Sequence, residues 1–310
     1  MTRRLTSVLF LASALVIGHV AHAQLEGPVP TQVLVTVEAK STSPANAAAL
    51  TVAVNDRKEP LTAWEPLTSA NAQVALLIDD GLRESVGREI DNLCNFVRTL
   101  SPGVEILVGY MQYGHIVTAQ SFTIDHALAA STIHLPDGMA GMSASPYICI
   151  SDFVKNWPGP APSSSPRKAR FIIMLTNGVD PYNGSTSIMN QGSPYVDNAI
   201  EDAQRAGVAI YSIYFSDAGI IGGMADNSGQ NYLSQITQAT GGVNYWEGVG
   251  NPVSTTPFLR SFQDAIAETY IATFLAPTGN NPARDLVRIK VTAAKVKLHA
   301  PAKVRPGNVE

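Results

Sequence analysis

Seven residues of this chain have the types and positions from which a binding site could be built. Two carboxylates and a glycine directly follow an apolar run, and an arginine stands two positions further on. A serine, an amide and a third carboxylate occur in two later loops. Carboxylate, amide and hydroxyl oxygens can hold a hard cation such as Mg²⁺ or accept hydrogen bonds from a partner. These residues are Asp79, Asp80, Gly81, Arg83, Ser143, Asn177 and Asp180.

The elements before these residues predict that they share one edge of a sheet. Val74–Ile78 and Arg170–Leu175 are short, mostly apolar runs, which are typical of strands buried on both faces. Glu84–Leu100 has helical spacing, so Asp79 stands where a strand ends and a helix begins. Ligands of open α/β sheets bind at this carboxyl edge, and we therefore expect the three loops to converge there.

The rest of the chain alternates between buried strands and amphipathic helices. This alternation predicts an α/β fold with a doubly wound, mostly parallel sheet. Period-two patterns on both sides, with a turn at Asn55–Pro60, predict a small flanking β appendage built from the N- and C-terminal segments. The predicted division is 1–23, signal peptide; 24–69, N-terminal β segment; 70–270, α/β domain; and 271–310, C-terminal β segment packing with the N-terminal one.

The start of the chain and its charge restrict its compartment and its partners. Two arginines precede an apolar segment from Leu5 to about Val20, and small residues follow up to Ala23. This pattern indicates a secretory signal peptide cut after Ala23, which predicts a secreted or periplasmic protein with no membrane span after cleavage. The formal charge is −4 and no basic run stands out, so nucleic acid and anionic membrane surfaces are not expected partners.

The two cysteines leave one question open. Cys94 and Cys149 form a pair in a chain expected outside the cytoplasm, which allows a disulfide. Cys94 also lies on the apolar face of its predicted helix, which favours a buried free thiol. The sequence alone does not decide between the two states.

The order of the motifs resembles a von Willebrand factor type A (VWA) domain of the bacterial VWA-related secreted kind. The resemblance rests on a strand ending at Asp79 before a helix, a small-residue loop with Ser143, and an apolar strand ending in Thr-Asn-Gly-Val-Asp at 176–180. The flanking segments Tyr270–Pro277 and Val287–Val291 match the β pieces that bracket such domains. The resemblance covers roughly residues 32–306 and implies a VWA-like α/β fold with a protein-binding role.

The resemblance also implies a metal-ion-dependent adhesion site. In this sequence most of the family's metal-binding residues are replaced by residues that bind a metal less well. By position, Asp79 matches the first Asp of the family's Asp-x-Ser-x-Ser motif, whereas Gly81 and Arg83 replace its two serines. Ser143 is the nearest counterpart of the family's Thr, and Asn177 replaces its second Asp. Mg²⁺ selects its oxygen ligands strictly, so we predict a degenerate site and no metal cofactor. An ion, if bound, would be held by Asp79, Ser143 and Asn177.

Arg83 has two alternative roles. Its fixed charge would repel a cation a few ångströms away by roughly 4 kcal/mol at an effective dielectric constant of 20. Its guanidinium could instead replace the metal, by pairing with Asp79 or Asp80 and meeting a carboxylate of the partner. The other reading is a solvated bystander on the first helical turn.

The predicted function is a secreted, non-enzymatic protein-binding module of VWA type, with an unknown protein partner at the carboxyl edge. Exposed aromatic or methionine side chains at that edge would favour a protein interface. The candidates are Met139, Met142, Tyr182, Tyr195 and Trp246, for which the alternative, favoured by the sequence, is that they are ordinary loop and core residues. Two alternatives remain: a structural scaffold with no dedicated ligand, and a hydrolase with an unrecognised site, for which Ser143 with His115 or His134 has no catalytic motif.

Overall fold

A computed structural model describes most of the chain beyond the first 26 residues. The predicted signal peptide and its cleavage site therefore lie outside the described residues. The described ranges are 27–38, 50–137, 145–159, 168–183, 192–216, 223–248, 250–279, 281, 284–294 and 296–309, without the side chains of 83–84 and 223–226.

A six-stranded sheet forms the centre of the protein and confirms the predicted fold class. Its strand order is β10-β9-β8-β5-β6-β7, and only β7 runs antiparallel to its neighbour. The three central parallel strands are almost wholly buried, as their uninterrupted apolar sequences require. The strands are β5 (Ala72–Asp79), β6 (Glu105–Gln112), β7 (His115–Thr123), β8 (Ala169–Thr176), β9 (Val208–Tyr214) and β10 (Asn244–Tyr245).

Helices cover both faces of this sheet and create two hydrophobic cores. Leu93, Ala129 and Leu259, from α1, α2 and α6, belong to the first core. Cys149, Val196 and Leu233, from α3, α4 and α5, belong to the second. The helices are α1 (Ile90–Arg98), α2 (His126–Ser131), α3 (Pro146–Lys155), α4 (Pro194–Ala206), α5 (Gly223–Thr240) and α6 (Thr256–Ala267).

Two local predictions were wrong. The segment after Asp79 does not begin as an α-helix at Glu84, because a 3₁₀ helix spans Asp80–Glu89 before α1 starts. The Asp79 side chain accepts a hydrogen bond from the Gly81 amide and so starts the tighter helix immediately after the strand. The predicted turn at Asn55–Pro60 is shorter than expected, since Asn55 and Asp56 alone have positive φ and a strand follows them.

The N- and C-terminal segments pair with each other in two small antiparallel sheets. One sheet has the order β13-β1-β11-β4 and the other the order β14-β12-β2-β3. The Leu67 amide donates to the Thr269 carbonyl where this appendage joins the α/β domain, five residues before β5 begins. The appendage therefore adjoins the end of β5 opposite to Asp79. Its strands are β1 (Val29–Glu38), β2 (Leu50–Val54), β3 (Arg57–Glu59), β4 (Leu61–Pro66), β11 (Thr269–Ala276), β12 (Val287–Ala293), β13 (Lys297–His299) and β14 (Lys303–Val304).

Both cysteines are free thiols. Cys94 and Cys149 are buried in different cores, on opposite faces of the central sheet. This separation excludes a disulfide between them, because bridged residues need Cα atoms within about 7 Å. Among the described helices, none has the length and apolar character needed to cross a bilayer.

Candidate functional site at the carboxyl edge of the sheet

Asp79 and Asp80 are neighbours in sequence but serve opposite faces of the sheet. Side chains alternate along a strand, and in β5 Leu77 packs in the second core while Ile78 packs in the first. Asp79 lies on the same face as Leu77, towards the second core. Burial, and to a smaller extent the Asp79 charge, raises the pKa of Cys149 on α3 to about 12. Asp80 adds in the same way to the raised pKa of Tyr110 in the first core, where burial again dominates. The two carboxylates therefore do not form one ligand pair.

Asp79 pairs with Thr176 across the two central strands. Ile78 and Leu175 are register partners in β5 and β8, which places the next residue of each strand side by side on the second-core face. The Thr176 hydroxyl donates to Asp79 Oδ2 at 2.5 Å, and the Gly81 amide donates to Asp79 Oδ1 at 2.9 Å. Asp79 is 4% exposed, so both carboxylate oxygens are held by the chain itself inside the edge.

The loop after β8 folds tightly against α3 and α5. The Gly178 amide donates to the Thr176 hydroxyl at 3.0 Å, and the Tyr147 hydroxyl on α3 donates to the Gly178 carbonyl at 2.8 Å. Burial raises the pKa of Tyr147 well above its ordinary value, so this hydroxyl keeps its proton and remains a donor. Gly178 has a φ of +68°, and a Cβ there would lie 2.6 Å from the Gly229 carbonyl oxygen. Only glycine permits this close packing of loop and helix.

The predicted site residue Asn177 acts locally. Its side-chain oxygen accepts a hydrogen bond from the Val179 amide at 2.9 Å, which forms a turn of the kind that Asn side chains commonly stabilise. The neighbouring Thr176, not Asn177, is the residue that reaches Asp79.

Asp180 joins the two ends of the loop between β8 and α4. Ser193 Oγ donates to Asp180 Oδ2 at 2.7 Å, and both residues are buried. Each residue also orients a tyrosine: the Tyr182 amide donates to Asp180 Oδ1, and the Tyr195 amide donates to Ser193 Oγ, each at 3.2 Å. The two tyrosine rings meet edge to face with centroids 6.3 Å apart. A buried hydrogen bond thus holds an aromatic pair at the carboxyl edge.

Exposed aromatic side chains concentrate at this edge. Among the described residues, the aromatic rings that are mostly exposed belong to Tyr113, Tyr182 and Trp246, at 60%, 56% and 52%. They follow the carboxyl ends of β6, β8 and β10 respectively. These three strands run in the same direction as β5, so the three rings lie at the same edge as Asp79. Tyr195 is half-buried beside Tyr182. The other predicted members of the apolar patch, Met139 and Met142, lie outside the described residues.

The edge also contains a buried acceptor without a described donor. Asp80 is 4% exposed, and its Oδ1 has no hydrogen-bond partner among the described residues. Gly81 follows it as the second residue of the 3₁₀ helix and is half-buried. The Arg83 side chain lies outside the described residues, as does Ser143, so the two readings of Arg83 both remain open.

Two of the three residues predicted to hold an ion, Asp79 and Asn177, already make hydrogen bonds within the chain. No group of three or more His, Cys, Asp or Glu residues with metal-site geometry occurs in the described ranges, which omit 138–144 and with them Ser143. Of the other two predicted ligands, Asp79 already accepts hydrogen bonds at both oxygens and Asn177 accepts one from the backbone. Mg²⁺ needs about six oxygens in octahedral order, and these contacts compete with that arrangement.

Nucleophiles near the edge are unsuited to attack. The Cys149 thiol is fully buried, and its raised pKa keeps it protonated near neutral pH, whereas the thiolate is the reactive form. Ser145 is also fully buried, where its hydroxyl accepts from the Tyr147 amide at the start of α3. His134 stacks on Tyr110 at 4.4 Å, and its Nδ1 lies 2.7 Å from the Leu135 carbonyl oxygen. These groups have structural partners and form no described triad.

Comparison with known proteins finds similarity in chain arrangement only. No protein-family model and no curated protein matches this chain. Among solved structures, it is similar to an aerotolerance-related membrane protein from Bacteroides fragilis, with 11% identity, coverage of 63% of this chain and 98% of that chain, and a TM-score of 0.44. It is also similar to a von Willebrand factor type A protein from Catenulispora acidiphila. That match has 11% identity and a TM-score of 0.41, and it covers 91% of this chain and 75% of that chain.

A third similar structure is proximal thread matrix protein 1 of the mussel byssus, with 17% identity and a TM-score of 0.43. The match covers 66% of this chain and 49% of that one, so this chain spans about half the length of the mussel protein. What the site does must therefore be argued from its own residues. The mostly parallel six-stranded sheet, its single antiparallel edge strand and the helices on both faces form the doubly wound α/β fold that the sequence predicted.

Proposed function

We propose that this protein is a non-enzymatic, protein-binding module that engages its partner at the carboxyl edge of the central sheet without a metal ion. The observation that supports this proposal most directly is the placement of Tyr113, Tyr182 and Trp246. All three are the mostly exposed aromatic residues of the described chain, and all three follow carboxyl ends of strands of one sheet. Aromatic side chains at such a position supply most of the binding energy in many protein interfaces.

The rigidity of the edge supports the same role. Hydrogen bonds from Thr176 to Asp79 and from Ser193 to Asp180 fix the loops in the free protein. A prefixed loop loses less conformational entropy on binding, so more of the contact energy contributes to affinity. The contacts that hold Asp79 and Asn177 within the chain favour binding that does not pass through a metal.

The proposed site of action is outside the cytoplasm, after removal of the signal peptide. The support is the charged and apolar pattern that ends at Ala23. Amino-terminal sequencing of the exported protein tests this part of the proposal and should give a chain that begins at Gln24. A chain that retains Met1 in the exported fraction would contradict it.

The decisive experiment is quantitative cross-linking capture from the native envelope fraction, with and without EDTA. The wild-type protein is compared with a triple Y113A/Y182A/W246A variant and with a control, I124A/L128A/V309A, whose three side chains are 66%, 48% and 51% exposed but lie away from the carboxyl ends of the parallel strands. We expect one saturable partner for wild type and control, with capture at least about tenfold weaker for the aromatic variant, as the loss of interface anchors predicts. Equal capture by all three proteins, or capture that EDTA abolishes, would refute the proposal.

A further inference from the structure

A second surface, on the appendage, carries the opposite charge from the protein as a whole. In the sheet β14-β12-β2-β3, Val52, Val54 and Ile289 face the appendage core. Because side chains alternate along strands, the intervening residues face outward. Register then aligns Lys290, Ala53 and Lys58 in one row across three strands, and Arg288 beside Lys303 in the next row. We call the outward side chains Lys58, Arg288, Lys290 and Lys303 the basic face.

The basic face is compact and is little neutralised by nearby acids. Residues two apart in a strand lie about 7 Å apart and neighbouring strands lie about 5 Å apart, so Arg288, Lys290 and Lys303 occupy adjacent positions, and Lys58 lies two strands from Lys290, at about 10 Å. All four side chains are exposed. Among the described residues, the acid that pairs with them is Asp56, whose carboxylate lies 3.7 Å from Arg288 while both side chains remain mostly exposed. The local net charge of +3 contrasts with −4 for the whole chain.

A depression lies among these cations. It has a volume of about 230 Å³ and is lined by three of the basic residues, Arg288, Lys290 and Lys303, by the acid Asp56, and by Ala53, Ile289 and Ala302. A concave floor with small apolar residues can accept a side chain, while the rim holds carboxylates. The outward position between Lys290 and Lys58 is the small Ala53, and the row beyond Lys290 holds Thr51 and Thr292. An extended chain can therefore lie along β12 without obstruction by large side chains.

We propose that the basic face binds an acidic, extended polypeptide segment of a partner protein. Charge complementarity selects an anionic partner, and the depression favours a chain with side chains over a flat surface. A membrane surface fits less well, because none of the exposed large apolar residues of the described chain lies on this face to insert into lipid. Single-stranded nucleic acid fits less well too, because no aromatic ring is present among the outward residues to stack with bases.

This surface is separate from the carboxyl-edge site. The appendage adjoins the amino-terminal end of β5, whereas Asp79 and the exposed aromatic residues lie at the opposite end. The inference therefore does not depend on the proposed function. Substitutions on one surface should leave binding at the other unchanged, so the failure of either idea can be recognised by itself.

The test uses fluorescence anisotropy with the mature chain and a labelled peptide of alternating Glu and Ser, about eight residues long, enough to cover one strand of the face. A peptide with Gln in place of Glu is the neutral probe. The protein variants are K290E/K303E and a control, R98E/R260E, which makes the same change in net charge at exposed helical positions. Binding is measured at low salt and at about 0.15 M salt, where the screening length falls to about 8 Å.

We expect the acidic peptide to bind wild type and control alike, with an affinity that decreases several-fold with salt, and the neutral peptide not to bind. K290E/K303E should bind the acidic peptide at least about tenfold more weakly, because it converts two of the four cations to anions. Three results would overturn the proposal. They are no binding of the acidic peptide, an equal loss in both charge variants, and stronger binding of anionic vesicles or of a single-stranded oligonucleotide than of the peptide.

Discussion

Replacing Thr176 with valine tests whether the carboxyl edge is held closed by its own hydrogen bonds. Valine keeps the branched shape that suits a buried strand end but lacks the hydroxyl. That hydroxyl donates to Asp79 at 2.5 Å and accepts from the Gly178 amide at 3.0 Å, in surroundings where Thr176 is fully buried. The substitution therefore leaves a buried carboxylate with one donor fewer and a backbone amide without its acceptor.

The expected loss of stability follows from these two contacts. A hydrogen bond to a charged group contributes about 1.5–3 kcal/mol, and an unsatisfied buried amide costs about 1–3 kcal/mol. Partial relaxation of the loop should recover some of this, so we expect the free energy of unfolding of Thr176→Val to fall by about 3 kcal/mol. For a domain of this size, that corresponds to a decrease in Tm of about 6–12 °C.

Urea unfolding of a double-mutant cycle isolates the contact with Asp79. The cycle combines Thr176→Val with Asp79→Asn, and we expect a coupling free energy of at least about 1 kcal/mol between the two positions. Thr176→Ser keeps the hydroxyl and should retain most of the stability. Thr292→Val makes the same chemical change at an exposed strand position, and it should change the free energy of unfolding by less than about 0.5 kcal/mol.

Additivity of the two substitutions within about 0.5 kcal/mol would refute the reasoning, because independent sites behave in that way. It would mean that the Asp79 carboxylate does not depend on Thr176. The carboxylate would then be available to another ligand, and the argument against a metal at this edge would lose its main support.

Three further outcomes follow from the buried and paired groups. Cys94 and Cys149 are both buried and burial raises the pKa of each thiol, so neither should react with a thiol reagent at about pH 8 before unfolding, and both should react afterwards. Ser193→Ala removes both the bond to Asp180 and the N-cap of α4, and urea unfolding should show a loss of about 1–3 kcal/mol. Hydrogen bonds from Lys297 and His299 lower the pKa of the Glu38 carboxyl below its ordinary value. Glu38→Gln should therefore lower the free energy of unfolding near pH 7 by no more than about 1 kcal/mol, since the pair is partly exposed. The difference from wild type should vanish as the pH falls through the lowered pKa.

The fold class could be predicted because its strongest signals are local. Strands β5, β8 and β9 are uninterrupted apolar runs between amphipathic helices, and burial on both faces leaves no other element that suits them. The start of the first helix could not be predicted to the residue. It depends on whether the Asp79 side chain caps the amide two positions later, a contact that hydrophobic spacing does not encode.

Asp79 stands at the carboxyl end of β5, as the sequence predicted, but the sequence did not predict the contacts that hold it there. Sequence matching directed attention to Asn177, whereas register places Thr176 opposite Asp79. Side chains alternate between the two faces along a strand, and Leu77 and Ile78 lie on opposite faces. Continuing this alternation to the end of β5 would have assigned Asp79 and Asp80 to opposite faces from the sequence alone. Tyr147 and Ser193 had no comparable signal, because each reaches the site from a different helix.

The basic face shows why charge along a sequence is a poor guide to charge on a surface. Lys58, Arg288 and Lys303 come from separate segments, and each has a single other basic residue within two positions of it, so no long basic run marks them. Only the pairing of β12 with β14 and with β2, and of β2 with β3, brings them onto one face. Such grouping brings like charges together, which opposes folding unless salt or an anionic ligand screens it. An acidic segment bound to the basic face would offset this repulsion. Because such a segment binds the folded state, it should stabilise the protein.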